Sequence, residues 1–290
     1  MRLAFLGTPD ASVTSLRALV GAGHDVVIVI TRPDRRRGRG SATSPSPVKA
    51  AALEMGLDVS HDIGELKSRD IERGVVVAYG SLIRAPVLEE LPMLNVHFSL
   101  LPRWRGAAPV EWAILAGDEV TGVSIMSLEV ALDTGPVHLA RQLSIGDKNA
   151  RELLEELSQL GATALLEVLA SPDLLAHPRA QEGEATYAAK LTAETFHVVP
   201  TMDQALMLRT VRLGRAFTVV NGRRLRIFRA HATQVTGAAG TLSVVGATPV
   251  LEGALGAIAL DEVQPEGSTP MSATAWWAGA RVDSATAVWS

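Results

Sequence analysis

The chain contains no cysteine, which excludes disulfides, thiolate metal ligands and a thiol nucleophile. Aromatic residues make up 4% of its 290 positions, and no apolar run approaches the ~20 residues of a membrane span. The N-terminus, Arg2-Leu3-Ala4-Phe5-Leu6-Gly7-Thr8-Pro9, reads straight into a strand and turn, with too short an apolar region for a signal peptide. A cytoplasmic enzyme without a membrane partner is expected. The seven histidines show no His-x-x-x-His or His-Glu-x-x-His spacing, so no metal site is expected. The first strand-to-helix turn, Gly7-Thr8-Pro9-Asp10, is not Gly-x-Gly-x-x-Gly, and no Walker A loop occurs. Redox and nucleotide-hydrolysing chemistry are therefore disfavoured.

Acidic residues are missing from one long interval. None occurs from Gln204 to Leu251, which holds Arg209, Arg212, Arg215, Arg223, Arg224, Arg226 and Arg229. Residues 1–200 carry a net −6 and residues 201–290 a net +2. A basic C-terminal module beside an acidic one suits a polyanionic substrate. The length favours two domains, and 47% hydrophobic against 20% charged residues describes an ordinary globular protein.

Strand and helix patterns alternate through the first part. Strands are expected at Arg2–Leu6, Asp25–Thr31, Val75–Ala78 and Leu94–Phe98, with helices over Ala11–Ala22, Pro47–Met55 and Pro86–Leu91. The continuous β-branched run of Asp25–Thr31 suits a parallel strand covered on both faces. This alternation predicts a doubly wound, Rossmann-like α/β domain whose ligand sits beyond the carboxyl ends of the strands. A helix from Pro109 to Leu115, strands over Gly122–Val130 and Val137–Leu143, and a long amphipathic helix over Ala150–Ala170 complete it. After a linker at 185–200 the pattern changes. A helix over Met202–Leu213 precedes short strands at Ala216–Val220, Leu225–His231, Gly240–Val245 and Ala254–Leu260, which suggest a small β-barrel.

The chemistry concentrates between Asn95 and Gly135. Asn95 and His97 are two apart on a strand, so both side chains point to one face. An amide donor beside an imidazole is the pair needed to stabilise an oxyanion and move a proton. Asp133 follows, where a carboxylate could orient that imidazole. A lone Asn-x-His is weak evidence, because most strand-end histidines are simply hydrogen-bonded.

The wording of the block is more specific. Asn95-Val96-His97, then Ser99-Leu100-Leu101-Pro102, Arg105-Gly106-Ala107-Ala108-Pro109 and Leu132-Asp133-Thr134-Gly135 resemble the catalytic core of methionyl-tRNA formyltransferases. One departure is Phe98, where many members carry Gly; its side chain should point to the opposite face. The resemblance implies formyl transfer from 10-formyltetrahydrofolate, a co-substrate needing no metal, to methionyl-initiator tRNA. It implies catalytic roles for Asn95, His97 and Asp133, and folate contacts at Ser99, Leu100, Leu101 and Pro102 and at Tyr79 and Gly80. It also implies an OB-like C-terminal domain that holds tRNA. A monomer is expected.

The loop from Arg32 to Ser41 carries five arginines among Gly and Pro and reads as a solvated linker or as a phosphate-gripping arm. It is similar to the family's inserted loop, which favours the grip through Arg35, Arg36, Arg37 and Arg39. Arg209, Arg212, Arg223 and Arg224 are the expected contacts from the C-terminal module. The expected division is a catalytic, folate-binding domain at 1–184, the linker, and a tRNA-binding domain at 201–290. The second domain matches less well. His197-Val198-Val199-Pro200 stands where members usually have an Asp-Trp pair, and the Asn-Pro-Trp-Pro stretch before Ala216 is shortened away. An amino-sugar-nucleotide formyltransferase, a formyltetrahydrofolate hydrolase and a non-enzymatic paralogue are the alternatives.

Overall fold

The structure, a computed structural model, describes residues 1–36, 43–280 and 289–290. Two compact units are present: Met1–Val110, Glu119–Gly146 and Leu153–Ala189 form the first, and Glu111–Asp118, Asp147–Glu152 and Lys190–Ser290 the second.

In chain order the elements up to residue 90 are β1 (Arg2–Gly7), α1 (Asp10–Gly21), β2 (Asp25–Ile30), β3 (Arg35–Arg36), β4 (Thr43–Ser44), α2 (Pro47–Glu54), β5 (Val59–Ser60), β6 (Arg73–Val77) and α3 (Ala85–Glu90). There follow β7 (Met93–His97), β8 (Arg105–Gly106), α4 (Pro109–Ala116), β9 (Val120–Ser127), β10 (Val137–Ser144), α5 (Ala150–Ala170), α6 (Pro172–Ala176) and β11 (Tyr187–Ala188). Local chemistry sets several boundaries. Ser46 caps α2 by accepting from the Lys49 N–H at 3.0 Å, with Pro47 in the first turn, where its missing N–H costs nothing. Before α5, Asn149 Oδ1 accepts from the Glu152 N–H at 3.0 Å while the Glu152 carboxylate accepts from the Asn149 N–H at 2.9 Å, a reciprocal cap.

The seven-stranded sheet runs β10-β9-β7-β6-β1-β2-β5. The β1–β2, β1–β6, β6–β7 and β2–β5 pairs are parallel, whereas β7–β9 and β9–β10 are antiparallel. The doubly wound domain is thus as expected, with an antiparallel hairpin completing one edge. Strand order reverses at β1 and β6, where α/β sheets open a crevice at their carboxyl ends. Asn95 and His97 end β7 beside it. On the opposite face of β7, Val96 meets α5. A Cβ on Gly161 would lie 2.8 Å from Val96 Cγ1 and 3.7 Å from the Phe98 ring, so the helix can approach only as glycine. Phe98 therefore turns away from Asn95 and His97, as alternation requires.

The second unit holds α7 (Gln204–Arg212), β12 (Phe217–Val220), β13 (Arg223–Thr233), β14 (Leu242–Val245), β15 (Thr248–Glu252), β16 (Ala257–Pro265), β17 (Met271–Ser272) and α8 (Ala273–Ala280). Its antiparallel sheet runs β12-β13-β16-β15-β14, with β17 on β16. This is the small β domain that the turn spacing predicts, folded as a half-barrel around Leu225, Ile227, Ile258, Leu260, Val263 and Trp276. Asn221 and Gly222 both have positive φ (48° and 75°), the two-residue turn that matches strand twist.

Residues 185–200, expected as a linker, are built into the two units. Ala188 is 1% exposed and β11 pairs with β8, while Val198 is fully buried in the core of the second unit.

Candidate active site

A cavity of about 380 Å³ opens at the carboxyl ends of β6 and β7. Asn95, His97 and Asp133 line it together, at 8%, 5% and 6% exposure. Burial of three polar side chains is costly unless each has a task or a partner. The Asn95 amide makes no side-chain hydrogen bond among the described residues and faces the cavity. It is a donor left available.

The imidazole of His97 is fixed differently from the expectation. Its Nε2 lies 2.9 Å from the carbonyl oxygen of Trp104. A carbonyl can only accept, so Nε2 carries a proton and, in the neutral ring, Nδ1 is left as a lone pair. That Nδ1 faces Asp133 Oδ2 at 3.7 Å, too long for a hydrogen bond. The orienting partner of His97 is therefore a backbone carbonyl, and Asp133 is a charge across a gap. Trp104 presents this carbonyl from a left-handed backbone, φ 60°, which costs a bulky residue energy and is retained where surrounding structure enforces it.

Asp133 is itself held. Its Oδ2 accepts from the Gly106 N–H at 2.8 Å, and its own φ is 53°. Gly106 has φ 120°, and a Cβ there would lie 2.6 Å from the Ala188 carbonyl oxygen. Only glycine fits between Asp133 and β11. The strand pair is extended by Trp104 N–H to Thr186 Oγ1 at 2.9 Å and Ala107 N–H to the Ala188 carbonyl at 2.8 Å.

The expected folate contacts divide. Tyr79 and Gly80 line the cavity, with Ile83, Leu128 and Leu132. Ser99, Leu100, Leu101 and Pro102 do not line it. Ser99 is buried and the other three are half-buried; the turn is tied down by Ser124, whose Oγ donates to the Ser99 carbonyl at 2.7 Å and accepts from the Leu101 N–H at 3.1 Å. Tyr79 sits in a turn with positive φ at Ala78 (45°) and Gly80 (76°). The carbonyls of Tyr79 and Gly80 accept from Thr8 Oγ1 at 2.8 Å and Arg32 Nη1 at 2.9 Å. Burial pushes the Tyr79 phenol up, opposed by the nearby Arg32 charge and reinforced by Asp62.

The arginines also divide. Arg35 is exposed and lines a second cavity of about 360 Å³, with Thr8, Arg32, Ser44 and Tyr79. The side chain of Arg36 and all of Arg37 and Arg39 lie outside the described residues. Arg223 and Arg224 are exposed at the start of β13; the Arg224 guanidinium lies 3.7 Å from the centroid of Phe217, which stacks on His197 at 4.7 Å. Arg209 and Arg212 were expected as phosphate contacts, but their guanidinium groups donate to the Leu115 carbonyl at 3.2 Å and the Lys148 carbonyl at 2.7 Å within the second unit. From the last turn of α7 they reach out to backbone oxygens at the end of α4 and just before α5.

Fold and site together describe an α/β protein whose cavity brings an amide donor beside a histidine and an aspartate. The comparisons specify it. Residues 1–169 match the formyl transferase family and residues 206–281 its C-terminal domain. A methionyl-tRNA formyltransferase of Jannaschia sp. is 40% identical, covering 97% of this chain and 98% of that one. Another, from Heliobacterium modesticaldum, is 38% identical over the same shares. The N-formyltransferase of Helicobacter canadensis, solved with folinic acid and dTDP-3-aminofucose, superposes with a TM-score of 0.70 at 16% identity, covering 91% of this chain and 98% of that one. The chain belongs to the methionyl-tRNA formyltransferase family.

Proposed function

We propose that the protein transfers the formyl group of 10-formyltetrahydrofolate to the α-amino group of methionyl-initiator tRNA. The observation that carries this is the uncommitted Asn95 amide beside His97 and Asp133 in a cavity large enough for a flat ring system. The amine attacks the formyl carbon, and Asn95 donates to the oxygen as it becomes negative. One such donor contributes roughly 3–4 kcal/mol where measured in other enzymes. His97 Nδ1 takes a proton from the attacking nitrogen. The ring is then cationic, with one N–H on the Trp104 carbonyl and the other directed at Asp133, which favours that charge. The C–N10 bond breaks as His97 returns the proton to N10, leaving formyl-amine and tetrahydrofolate. Tyr79, Gly80 and the apolar walls hold the pterin. The Ser99–Pro102 turn is anchored to β9 through Ser124.

Residues 1–184 carry this chemistry and residues 201–290 hold the tRNA, with Arg35, Arg223 and Arg224 as its electrostatic contacts. Incubation with 10-formyltetrahydrofolate and methionyl-tRNA should yield formyl-methionyl-tRNA. Formylation of a dTDP-amino sugar instead, or folate hydrolysis with tRNA untouched, would overturn the acceptor assignment.

A further inference from the structure

Gln181 lies in the segment after α6, 48 residues beyond Asp133, yet its side chain touches both halves of the site. Its Nε2 donates to the carbonyls of Asp133 and Gly135, each at 2.8 Å. Its Oε1 accepts from Arg105 Nε at 3.0 Å and Nη2 at 2.6 Å. Both amide hydrogens and the amide oxygen are thus engaged, and the orientation is unambiguous, because the reversed amide would set donors against the guanidinium and an oxygen against two carbonyls. Arg105 adjoins Gly106, whose N–H holds the Asp133 carboxylate. Gln181 therefore closes a ring: Asp133 carboxylate to Gly106, along the chain to Arg105, across to Gln181, and back to the Asp133 carbonyl. Asp133, a non-glycine residue with positive φ, sits inside that ring, and its conformation carries a cost that the surrounding structure must meet.

We infer that Gln181 is a positioning residue for formyl transfer, setting the depth and angle of the Asp133 carboxylate opposite His97 Nδ1. The inference rests on the formyl-transfer reading of Asn95, His97 and Asp133. The gap between Nδ1 and Oδ2 is 3.7 Å, the range in which small displacements change the interaction between a carboxylate and an imidazolium steeply. A misplacement of about 1 Å can cost about a hundredfold in rate.

Two substitutions separate the bonds. Gln181→Glu keeps an acceptor for Arg105 and removes both donors to the Asp133 loop; Gln181→Met removes everything at similar size. Both should lower kcat about tenfold to a hundredfold, leave KM for 10-formyltetrahydrofolate within about twofold, and displace the acid limb of the kcat/KM–pH profile. A packing role alone would lower thermal stability and the active fraction while leaving that profile in place. An unmoved profile in Gln181→Glu, with wild-type kcat in the folded fraction, overturns the inference. Asp133→Asn, run in parallel, separates the two claims. If it is crippled while both Gln181 variants behave as wild type, the positioning role alone fails. If Asp133→Asn is fully active, the reading of the site fails and takes this inference with it.

Discussion

Gly106 donates its backbone N–H to Oδ2 of Asp133 at 2.8 Å, so a glycine and an aspartate 27 residues apart share one arrangement. The glycine has no Cβ to strike the Ala188 carbonyl, and the carboxylate has its inner oxygen fixed. Gly106→Ala should break both. Its φ of 120° is essentially closed to alanine, at a cost of about 1–3 kcal/mol. Thermal unfolding should show the loss of stability, and formylation in the folded fraction should fall too. Wild-type activity with unchanged stability would show that β8 can shift freely.

Asn95→Ala and His97→Ala should each lower turnover by about a hundredfold or more. Asp133→Asn should do the same, since the amide keeps the size and loses the charge. Single-turnover formylation with saturating folate measures this directly. A fully active variant removes that residue from the chemistry.

The arginines predict two separable behaviours. Arg223→Gln with Arg224→Gln should flatten the slope of log affinity for tRNA against log salt by roughly 0.7–0.9 per phosphate contact. Arg212→Gln should leave that slope alone and lower the stability of the second unit, because it deprives the Lys148 carbonyl of its donor. Equal slopes in wild type and the double variant would remove β13 from the tRNA surface.

His138 gives a prediction in pH. Its Nε2 lies 2.9 Å from Ser127 Oγ and its Nδ1 2.8 Å from the Leu174 carbonyl. Burial lowers its pKa, the Leu174 hydrogen bond opposes this, and the Arg73 charge adds to it. With the folded value below the unfolded one, its contribution is fully present above about pH 6.5 and is lost as pH falls below that. The midpoint of thermal unfolding should therefore drop from pH 7 to pH 5 more steeply in wild type than in His138→Gln. Parallel curves would place the loss elsewhere.

Much of this was legible in the chain. The β-branched runs predict the parallel sheet, since burial on both faces leaves a plain pattern, and the period-2 placement of Asn95 and His97 predicts that both line one cavity. Other parts were not. Thr248–Glu252 forms a strand despite Pro249, which lowers any strand reading; its neighbours β14 and β16 impose it. Gln181, the Trp104 carbonyl and Gly106 act through backbone groups and long-range contacts that carry no periodicity. The folate contacts at Ser99–Pro102 come from the family resemblance alone, and the side chains of that turn lie outside the cavity lining. Arg209 and Arg212 look from sequence like the other arginines, and nothing in the local pattern announces the Leu115 and Lys148 carbonyls to which they donate.

The pairing of β11 with β8 also fixes where the catalytic piece can be cut. The helix that ends at Ala170 looks like a natural stop, but Gln181, Thr186 and Ala188 follow it and hold Trp104, Gly106 and Asp133. A chimaera that replaced everything after residue 170 would carry Asn95, His97 and Asp133 and lose the frame around them. The same replacement made after Ala189 would keep that frame, which closes only with its last two-residue strand.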